Sequence, residues 1–226
     1  MIILGIETAS AVCSVGVVDE EKILGEISLH VPFLHAEWIF PRIDQLLQEL
    51  EIQPKDLGGI AVSIGPGSFT GLRVGLSAAK GMAYSLQCPL TAVGTLDALA
   101  YQATGIYDQI WGVIPSIRGE IFACRYRNNK NTMIRDGENQ IFVPEEFLAL
   151  IVSGSLIIGI IPSLLNTTIK EHFHSSITVY SWDGLFRGSV IALLGARQIN
   201  RGEIADIDNI EPMYLRSFPD RNSMRR

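Results

Sequence analysis

The chain opens with three apolar runs separated by turn-like polar residues. The runs Ile2 to Glu7 and Val12 to Val18 are short, and Lys22 to Leu29 alternates apolar and polar residues. Alternation with a period of two is typical of strands, because successive side chains point to opposite faces. Together with the acidic turn Asp19-Glu20-Glu21, the pattern predicts three consecutive strands joined in hairpin style.

Two helical patterns and another strand pattern follow. Apolar residues recur at helical spacing between positions 39 and 50, where Pro41 either kinks the predicted helix or opens its main portion. The run Asp56 to Ile64 has strand character, and a second helix is predicted from Thr70 to about Gln87. The first half therefore has the predicted order strand, strand, strand, helix, strand, helix.

The second half repeats this order in reduced form. A hairpin is predicted where Ser116 to Gly119 separates two apolar runs, and Pro144 opens a short helix. The remaining predicted elements are strands at Leu156 to Ile160 and Ile177 to Tyr180 and helices near Pro162 to Ile169 and at Ser189 to Ile199.

The repeated order predicts an α/β protein with a duplicated fold of the actin-like, ribonuclease-H-like (ASKHA) class, in which two mixed sheets have flanking helices. We place the boundary near Thr104-Gly105. This gives an N-terminal ribonuclease-H-like half at 1–104 and a smaller C-terminal half at 105–226. The final helix can pack on one half or across both.

Composition fits a packed globular protein. Hydrophobic residues make up 47% of the 226 residues and charged residues 19%. The three cysteines are far apart in sequence and odd in number, so we expect reduced core thiols and no metal site. The net charge of −6 argues against a surface that grips nucleic acid throughout.

The last eleven residues reverse this charge. Four arginines and Asp220 give 216–226 a charge of +3, which leaves −9 for the rest of the chain. Two interpretations of this basic tail stay open: contact with RNA or an acidic partner, and a solvated terminus.

One uncharged segment, Phe147 to Ile169, has the length of a membrane span. Ser153-Gly154-Ser155 and Pro162 divide it, so we interpret it as a short helix, a buried strand and another short helix. The N-terminus lacks a basic stretch and a cleavage site. We therefore expect a cytoplasmic protein that does not enter a membrane.

The segment Gly65 to Gly75 reads Gly-Pro-Gly-Ser-Phe-Thr-Gly-Leu-Arg-Val-Gly. A glycine turn between a strand and a helix can bind anions, because free backbone N–H groups point outward there. The segment lacks the lysine of a Walker A loop, and its glycines do not have Gly-x-Gly-x-x-Gly spacing. The sequence therefore does not define a phosphate loop of either type.

The helix that follows carries small residues at four-residue intervals: Gly71, Gly75, Ala79 and Ala83. Each glycine inside a helix costs about 1 kcal/mol relative to alanine, so close packing must offset the cost. Two alternatives stay open. The small residues pack against the chain's own first helix, or this helix and Ala36 to Leu50 form an interface with another subunit.

The chain resembles the TsaB family, formerly called YeaZ. The resemblance covers most of the chain and is most specific at Gly65 to Gly75 and the following Leu76 to Gly81. The other matching segments are Ile3 to Ser10, His35 ahead of Pro41 and Leu46-Leu47, the hairpin Ile117 to Glu120, and Pro212 to Arg216.

The resemblance implies an actin-like ATPase superfamily fold and a role beside TsaD and TsaE. That machinery transfers a threonylcarbamoyl group to adenosine 37 of tRNAs that read codons beginning with A. We expect direct binding to TsaD, contact with TsaE through the complex, and indirect contact with tRNA. A homodimer without TsaD is left open.

The N-terminal half is expected to carry the partner interface. The residues assigned to it are His35, Ile39, Ile43, Leu46, Gly71, Leu72, Arg73, Gly75, Ala78, Ala79 and Met82.

No catalytic residue and no metal ligand is assigned. TsaD-like proteins carry a His-x-x-x-His metal pair, whereas His30 and His35 are five residues apart with Pro32 between them. ATPases of the superfamily bind phosphate at the turn after the first strand. The resemblance matches this turn only in part, because Glu7 stands where TsaB-like chains usually have Asp. The residues interpreted as vestigial nucleotide or phosphate contacts are Glu7, Thr8, Ser10, Gly67, Ser68 and Thr70.

We therefore expect a non-catalytic subunit of the tRNA N6-adenosine threonylcarbamoyltransferase complex, although an activity of its own is left open. The isolated chain should require no cofactor, and ATP or ADP with magnesium is placed, if anywhere, at the junction with TsaD. The alternative is a free-standing ATPase or phosphotransferase of the actin and hexokinase superfamily.

Overall fold

The first half of the chain forms one five-stranded mixed sheet in the computed structural model, which describes residues 1–130 and 132–215. Its strands are β1 (Ile2–Glu7), β2 (Val12–Asp19), β3 (Lys22–His30), β4 (Gly59–Gly65) and β5 (Leu90–Gly94). They lie in the order β3-β2-β1-β4-β5. The first three strands pair antiparallel, and β1, β4 and β5 are parallel. The predicted meander followed by parallel crossovers is confirmed.

Three helices belong to this half: α1 (His35–Glu49), α2 (Phe69–Leu86) and α3 (Thr95–Tyr101). The apolar stripe of α1 is buried in the same core as β1, β2 and β4, as its helical spacing predicts. Pro41 lies inside α1, so it does not open the helix. Neither β5 nor α3 was among the elements predicted from the sequence.

The second half forms a six-stranded sheet. Its strands are β6 (Gln109–Pro115), β7 (Ile121–Asn129), β8 (Thr132–Arg135), β9 (Gln140–Phe142), β10 (Leu156–Gly159) and β11 (Thr178–Ser181). The order is β8-β7-β6-β10-β11, with β9 also paired to β7. Its helices are α4 (Pro144–Leu148), α5 (Ser163–Phe173) and α6 (Gly188–Asn200).

The two sheets have the same topology. In each, three antiparallel strands are followed by two strands parallel to the first. The strand order β8-β7-β6-β10-β11 therefore repeats β3-β2-β1-β4-β5. This repeat is the duplicated actin-like, ribonuclease-H-like fold that the element order predicts.

The uncharged run between positions 147 and 169 is divided as predicted, into the end of α4, the strand β10 and the beginning of α5. The strand β10 is buried between two parallel neighbours, which accounts for its unbroken apolar sequence. Within 1–130 and 132–215, no helix combines the length and the apolar character needed to cross a bilayer.

The last helix of each half packs on the sheet of the other half. The helix α6 lies on β1, β2 and β4 of the first sheet, and α3 lies mainly on β6 and β10 of the second. Residues of α6 share a buried core with Ile3, Ala61 and Val93 of the first sheet. The two halves therefore exchange their final helices.

Glycines allow α6 to lie directly on the first sheet. A Cβ atom at Gly5 would lie 2.1 Å from the carbonyl oxygen of Gly188, and one at Gly16 would lie 2.2 Å from the backbone nitrogen of Ser189. The first turn of α6 is also capped by this sheet. The N–H of Gly188 donates to Ser14 Oγ at 2.8 Å, and the N–H of Ser189 donates to Glu26 Oε2 at 3.0 Å.

We expect Gly5→Ala to lower the free energy of unfolding by about 3 kcal/mol or more, because the added methyl meets backbone atoms that cannot move aside. The matched control is Gly81→Ala in α2, where a Cβ would meet no atom within 4 Å. That change should raise stability by up to about 1 kcal/mol. Urea denaturation of both variants measures the difference, and similar effects of the two would contradict the packing argument.

Candidate functional site

The glycine-rich segment joins β4 to α2, and its polar groups bond to the chain itself. Ser68 is the N-cap residue of α2, and its side chain accepts a hydrogen bond from the N–H of Gly71 at 3.2 Å. The N–H of Ser68 donates to the carbonyl of Ala9 at 2.7 Å. The backbone N–H of the N-cap residue of α2 therefore bonds to the turn after β1.

Two glycines of α2 face this same turn. A Cβ at Gly71 would lie 2.1 Å from the carbonyl oxygen of Thr8, and one at Gly75 would lie 2.2 Å from Thr8 Oγ1. A Cβ at Gly67 would lie 2.4 Å from the carbonyl oxygen of Ala9. For Gly71 and Gly75 the close neighbour is the turn after β1, which is neither of the two alternatives considered from the sequence. Ala79 and Ala83 of the same stripe share a core with α1, which is the first of those alternatives.

Glu7 ends β1 and is buried, with 1% of its surface exposed. Its Oε1 accepts hydrogen bonds from the N–H of Ala9 at 2.6 Å and the hydroxyl of Ser63 at 2.9 Å. Burial raises the pKa of the Glu7 carboxyl from 4.5 to about 7, and these hydrogen bonds oppose the rise. The side chain of Glu7 therefore stabilises the turn that follows β1.

The thiol of Cys13 lies in the same buried region. Burial, and secondarily the charge of Glu7, raise its pKa to about 11. All three cysteines are free thiols, as expected.

An apolar cleft of about 720 Å³ opens beside this turn. We call it the apolar cleft. Ser10, Gly67, Ser68 and Thr70 line it, as do aromatic and aliphatic residues from both halves; these include Phe69, Phe122, Ile160, Phe186 and Tyr214. Glu7 and Thr8 are buried behind the turn. The predicted phosphate contacts are thus divided between the cleft wall and the core.

The apolar cleft does not fit a magnesium nucleotide held by this chain alone. Among its described lining residues there is no Asp, Glu, Lys or Arg. The nearby carboxylate, Glu7, already accepts two hydrogen bonds from the protein. Magnesium needs oxygen ligands such as carboxylates, and the described walls supply neither a carboxylate for the metal nor a cationic side chain for a phosphate.

Most residues predicted for the partner interface lie in the chain's own core. The buried ones are His35, Ile39, Ile43, Leu46, Gly71, Leu72, Gly75, Ala78 and Ala79. Met82 is half-buried and Arg73 is exposed. The reason is physical: helical periodicity identifies the face that packs on the sheet.

The opposite faces of α1 and α2 carry aromatic residues that the sequence interpretation missed. Phe40 of α1 is 52% exposed, Tyr84 of α2 is 78% exposed, and Phe33 just before α1 is 96% exposed. The two helices pack side by side. We call the exposed sides of α1 and α2 the outer helix face. These aromatic residues lie on the polar side of each helical repeat, and that position is the sequence signal that would have identified them.

Arg73 fixes the end of the described chain beside the apolar cleft. Its guanidinium lies 3.8 Å from the centroid of the Phe69 ring, and its Nε donates to the hydroxyl of Tyr214 at 2.9 Å. Lys80 Nζ donates to the carbonyl of Ile210 at 3.2 Å. The segment 210–214 is thereby held along α2. The predicted basic tail, 216–226, lies outside the described residues.

The histidines do not come together. His35 Nε2 is 3.0 Å from the carbonyl oxygen of Ser10, whereas His30 lies beside Asp183 on the surface. Within the described ranges, no group of three or more His, Cys, Asp or Glu is placed to hold a metal ion.

The repeated sheets and exchanged helices define a protein of the actin-like, ribonuclease-H-like class. The family model for TsaD, tRNA N6-adenosine threonylcarbamoyltransferase, matches residues 31–197. The chain is 26% identical to the tRNA threonylcarbamoyladenosine biosynthesis protein TsaB of Bacillus subtilis, over 96% of this chain and 94% of that protein. Its identity to TsaB of Escherichia coli is 24%, over 96% and 95% of the two chains.

A solved structure of YeaZ from Pseudomonas aeruginosa has the same fold, with a TM-score of 0.80 at 23% identity over 95% of this chain and 99% of that one. The chain belongs to the TsaB (YeaZ) family, within the broader group that the TsaD model describes.

The raised pKa of Glu7 predicts a specific pH dependence. The unfolded carboxyl titrates near 4.5 and the native one near 7, so the native state holds the extra proton between these values. Native stability therefore falls as pH rises through this window. Glu7→Gln keeps an acceptor for Ala9 and Ser63 but does not titrate.

We expect the wild-type free energy of unfolding to fall by up to about 3 kcal/mol relative to Glu7→Gln across this window. Urea denaturation at several pH values measures the difference. Parallel pH profiles of the two proteins would contradict the prediction.

Proposed function

We propose that this chain is a non-catalytic accessory subunit that binds TsaD and activates it for threonylcarbamoylation of adenosine 37 in tRNAs that read codons beginning with A. Its relatives over nearly the whole length are named for tRNA threonylcarbamoyladenosine biosynthesis, which supports the pathway. The accessory role rests mainly on one observation. The polar groups around the glycine-rich segment, Glu7 and Ser68, bond to the chain itself.

The outer helix face is the surface that we propose for TsaD. Exposed aromatic residues are frequent at the centres of interfaces, because they bury a large area with little loss of side-chain freedom. Phe40 and Tyr84 provide such groups on adjacent helices, and Arg73 adds an exposed cation whose side chain is already ordered by Phe69 and Tyr214. The buried residues of α1 and α2 that the sequence analysis assigned to the interface pack in the core beneath this face.

The remaining partners belong to the same proposal. TsaE would join through the complex, and tRNA would be reached indirectly, through TsaD. We place ATP or ADP with magnesium at the junction with TsaD, because the apolar cleft alone lacks the required groups. In the absence of TsaD, the outer helix face is the surface on which two copies would pair.

The proposal predicts that tRNA modification by TsaD and TsaE depends on this chain. Purified TsaD, TsaE, tRNA, ATP and the threonylcarbamoyl donor should give modified adenosine only when this chain is added. Equal activity of TsaD without the chain would overturn the accessory role. Hydrolysis of ATP by the isolated chain with magnesium would support the alternative of a free-standing ATPase.

The interface itself is tested by Tyr84→Asp and Phe40→Asp. Each places a carboxylate on the outer helix face, and we expect at least tenfold weaker binding to TsaD with little change in thermal unfolding. The matched control is Leu164→Asp, which changes a side chain that is 79% exposed on α5 of the other half. Equal effects at all three positions would contradict the assignment. Gly75→Leu is not a suitable probe, because its side chain would collide with Thr8.

A further inference from the structure

A second, larger cleft of about 1350 Å³ lies between β3 and α6 on one hand and β10 and β11 on the other. The helix α6 has 13 residues, whereas α3 has 7 and packs mainly on β6 and β10. The face of the edge strand β11 is left open, and Tyr180 on it is 48% exposed.

Trp182 follows β11 and lines this cleft, which we call the Trp182 cleft. Its side chain is 60% exposed, yet its position is fixed. A Cβ at Gly184 would lie 2.4 to 2.6 Å from atoms of the indole ring, so the ring packs directly on the Gly184 backbone. The N–H of Trp182 also donates to the carbonyl of Gly159 at 3.1 Å. The structure thus holds a large aromatic ring in place while leaving most of it accessible.

Polar groups stand beside this ring. Asp183 Oδ2 lies 3.5 Å from His30 Nδ1, and both side chains are about half exposed and line the same cleft. A carboxylate accepts hydrogen bonds, and a neutral imidazole offers one donor and one acceptor. They match the amino and ring nitrogen groups at the edge of a nitrogen heterocycle.

The charges of the Trp182 cleft balance. Among its lining Asp, Glu and Arg residues, Glu26 and Asp183 oppose Arg187 and Arg197. Arg187 Nε is 3.1 Å from Glu26 Oε1, and Arg197 pairs with Glu21. A balanced wall gives no net attraction for a phosphate chain. It favours an uncharged ligand.

We infer that the Trp182 cleft binds a nucleobase, stacked on the indole of Trp182 with its hydrogen-bonding edge toward Asp183 and His30. Every nucleobase has a π face, and stacking on fixed aromatic side chains is a recurrent way of holding bases. The site is separate from the apolar cleft and from the outer helix face. It does not rest on the function proposed above.

The test uses the full-length chain labelled with ¹⁵N and follows its tryptophan indole N–H signals by NMR. The chain has three tryptophans, and the Trp182 signal is assigned by its loss in Trp182→Phe. Adenosine and cytidine are titrated, with ribose as the ligand control. We expect a saturable shift of the Trp182 signal and none of the Trp38 and Trp111 signals. The signals of Trp38 and Trp111 also report that each variant is folded.

A short single-stranded oligonucleotide shows whether the bound base comes from a free nucleoside or from a nucleic acid strand. The balanced charge of the cleft predicts that it binds no more tightly than the free nucleoside, with weak dependence on salt. Tighter and salt-dependent binding that still requires Trp182 would support the nucleobase site and identify its source as a nucleic acid strand.

Variants distinguish stacking on Trp182 from nonspecific binding of the nucleoside. The affinity is measured from the nucleoside's own NMR signals. Trp182→Ala and Gly184→Ala should weaken binding at least tenfold, the latter because its methyl displaces the ring. Trp182→Phe should retain most of the affinity, and Tyr84→Ala, an exposed aromatic outside the cleft, should have no effect. Unchanged affinity in Trp182→Ala, an equal response to ribose, or no Trp182 shift at millimolar nucleoside would overturn the inference.

Discussion

The contact on which the rest of the structure depends is the approach of α6 to the first sheet at Gly5 and Gly16. No other residue type leaves room there, because backbone atoms of Gly188, Ser189 and Ala192 occupy the space that a side chain would need. This contact lets a helix from the second half cover the sheet of the first half. The two sheets are then held at a fixed separation, and both clefts form in the space that remains between them.

Close packing at glycines also shapes the candidate site. At Gly71 and Gly75 the missing side chains make room for the turn after β1, and that turn is in turn fastened by Glu7 and Ser68. Glu7 Oε1 and Ser68 Oγ accept their hydrogen bonds from within the chain. What is left for contact with other molecules is an apolar cleft, an aromatic outer helix face and a neutral cleft beside Trp182.

The fold was largely predictable from the sequence, because strand and helix periodicities depend on which face is buried. The strand β5 and the helix α3 were missed, since both are short and buried on more than one side, which removes their periodicity. The partner of the α2 glycines could not be predicted either, since Thr8 is more than sixty residues away in the chain. Most residues assigned to the partner interface are buried, because the apolar helical repeats from which they were chosen mark the face that packs in the core.

The exchange of the final helices also affects how the chain is made. The first sheet is synthesised early, but α6, which covers its apolar residues Ile3, Ala61 and Val93, leaves the ribosome only after position 188. Until then that face of the sheet lacks its cover, and the second half is nearly complete before it arrives. Domains usually fold in order as they emerge during translation. In this chain the cover of the N-terminal sheet comes from the C-terminal half, so the packed core of the first half requires residues of both halves.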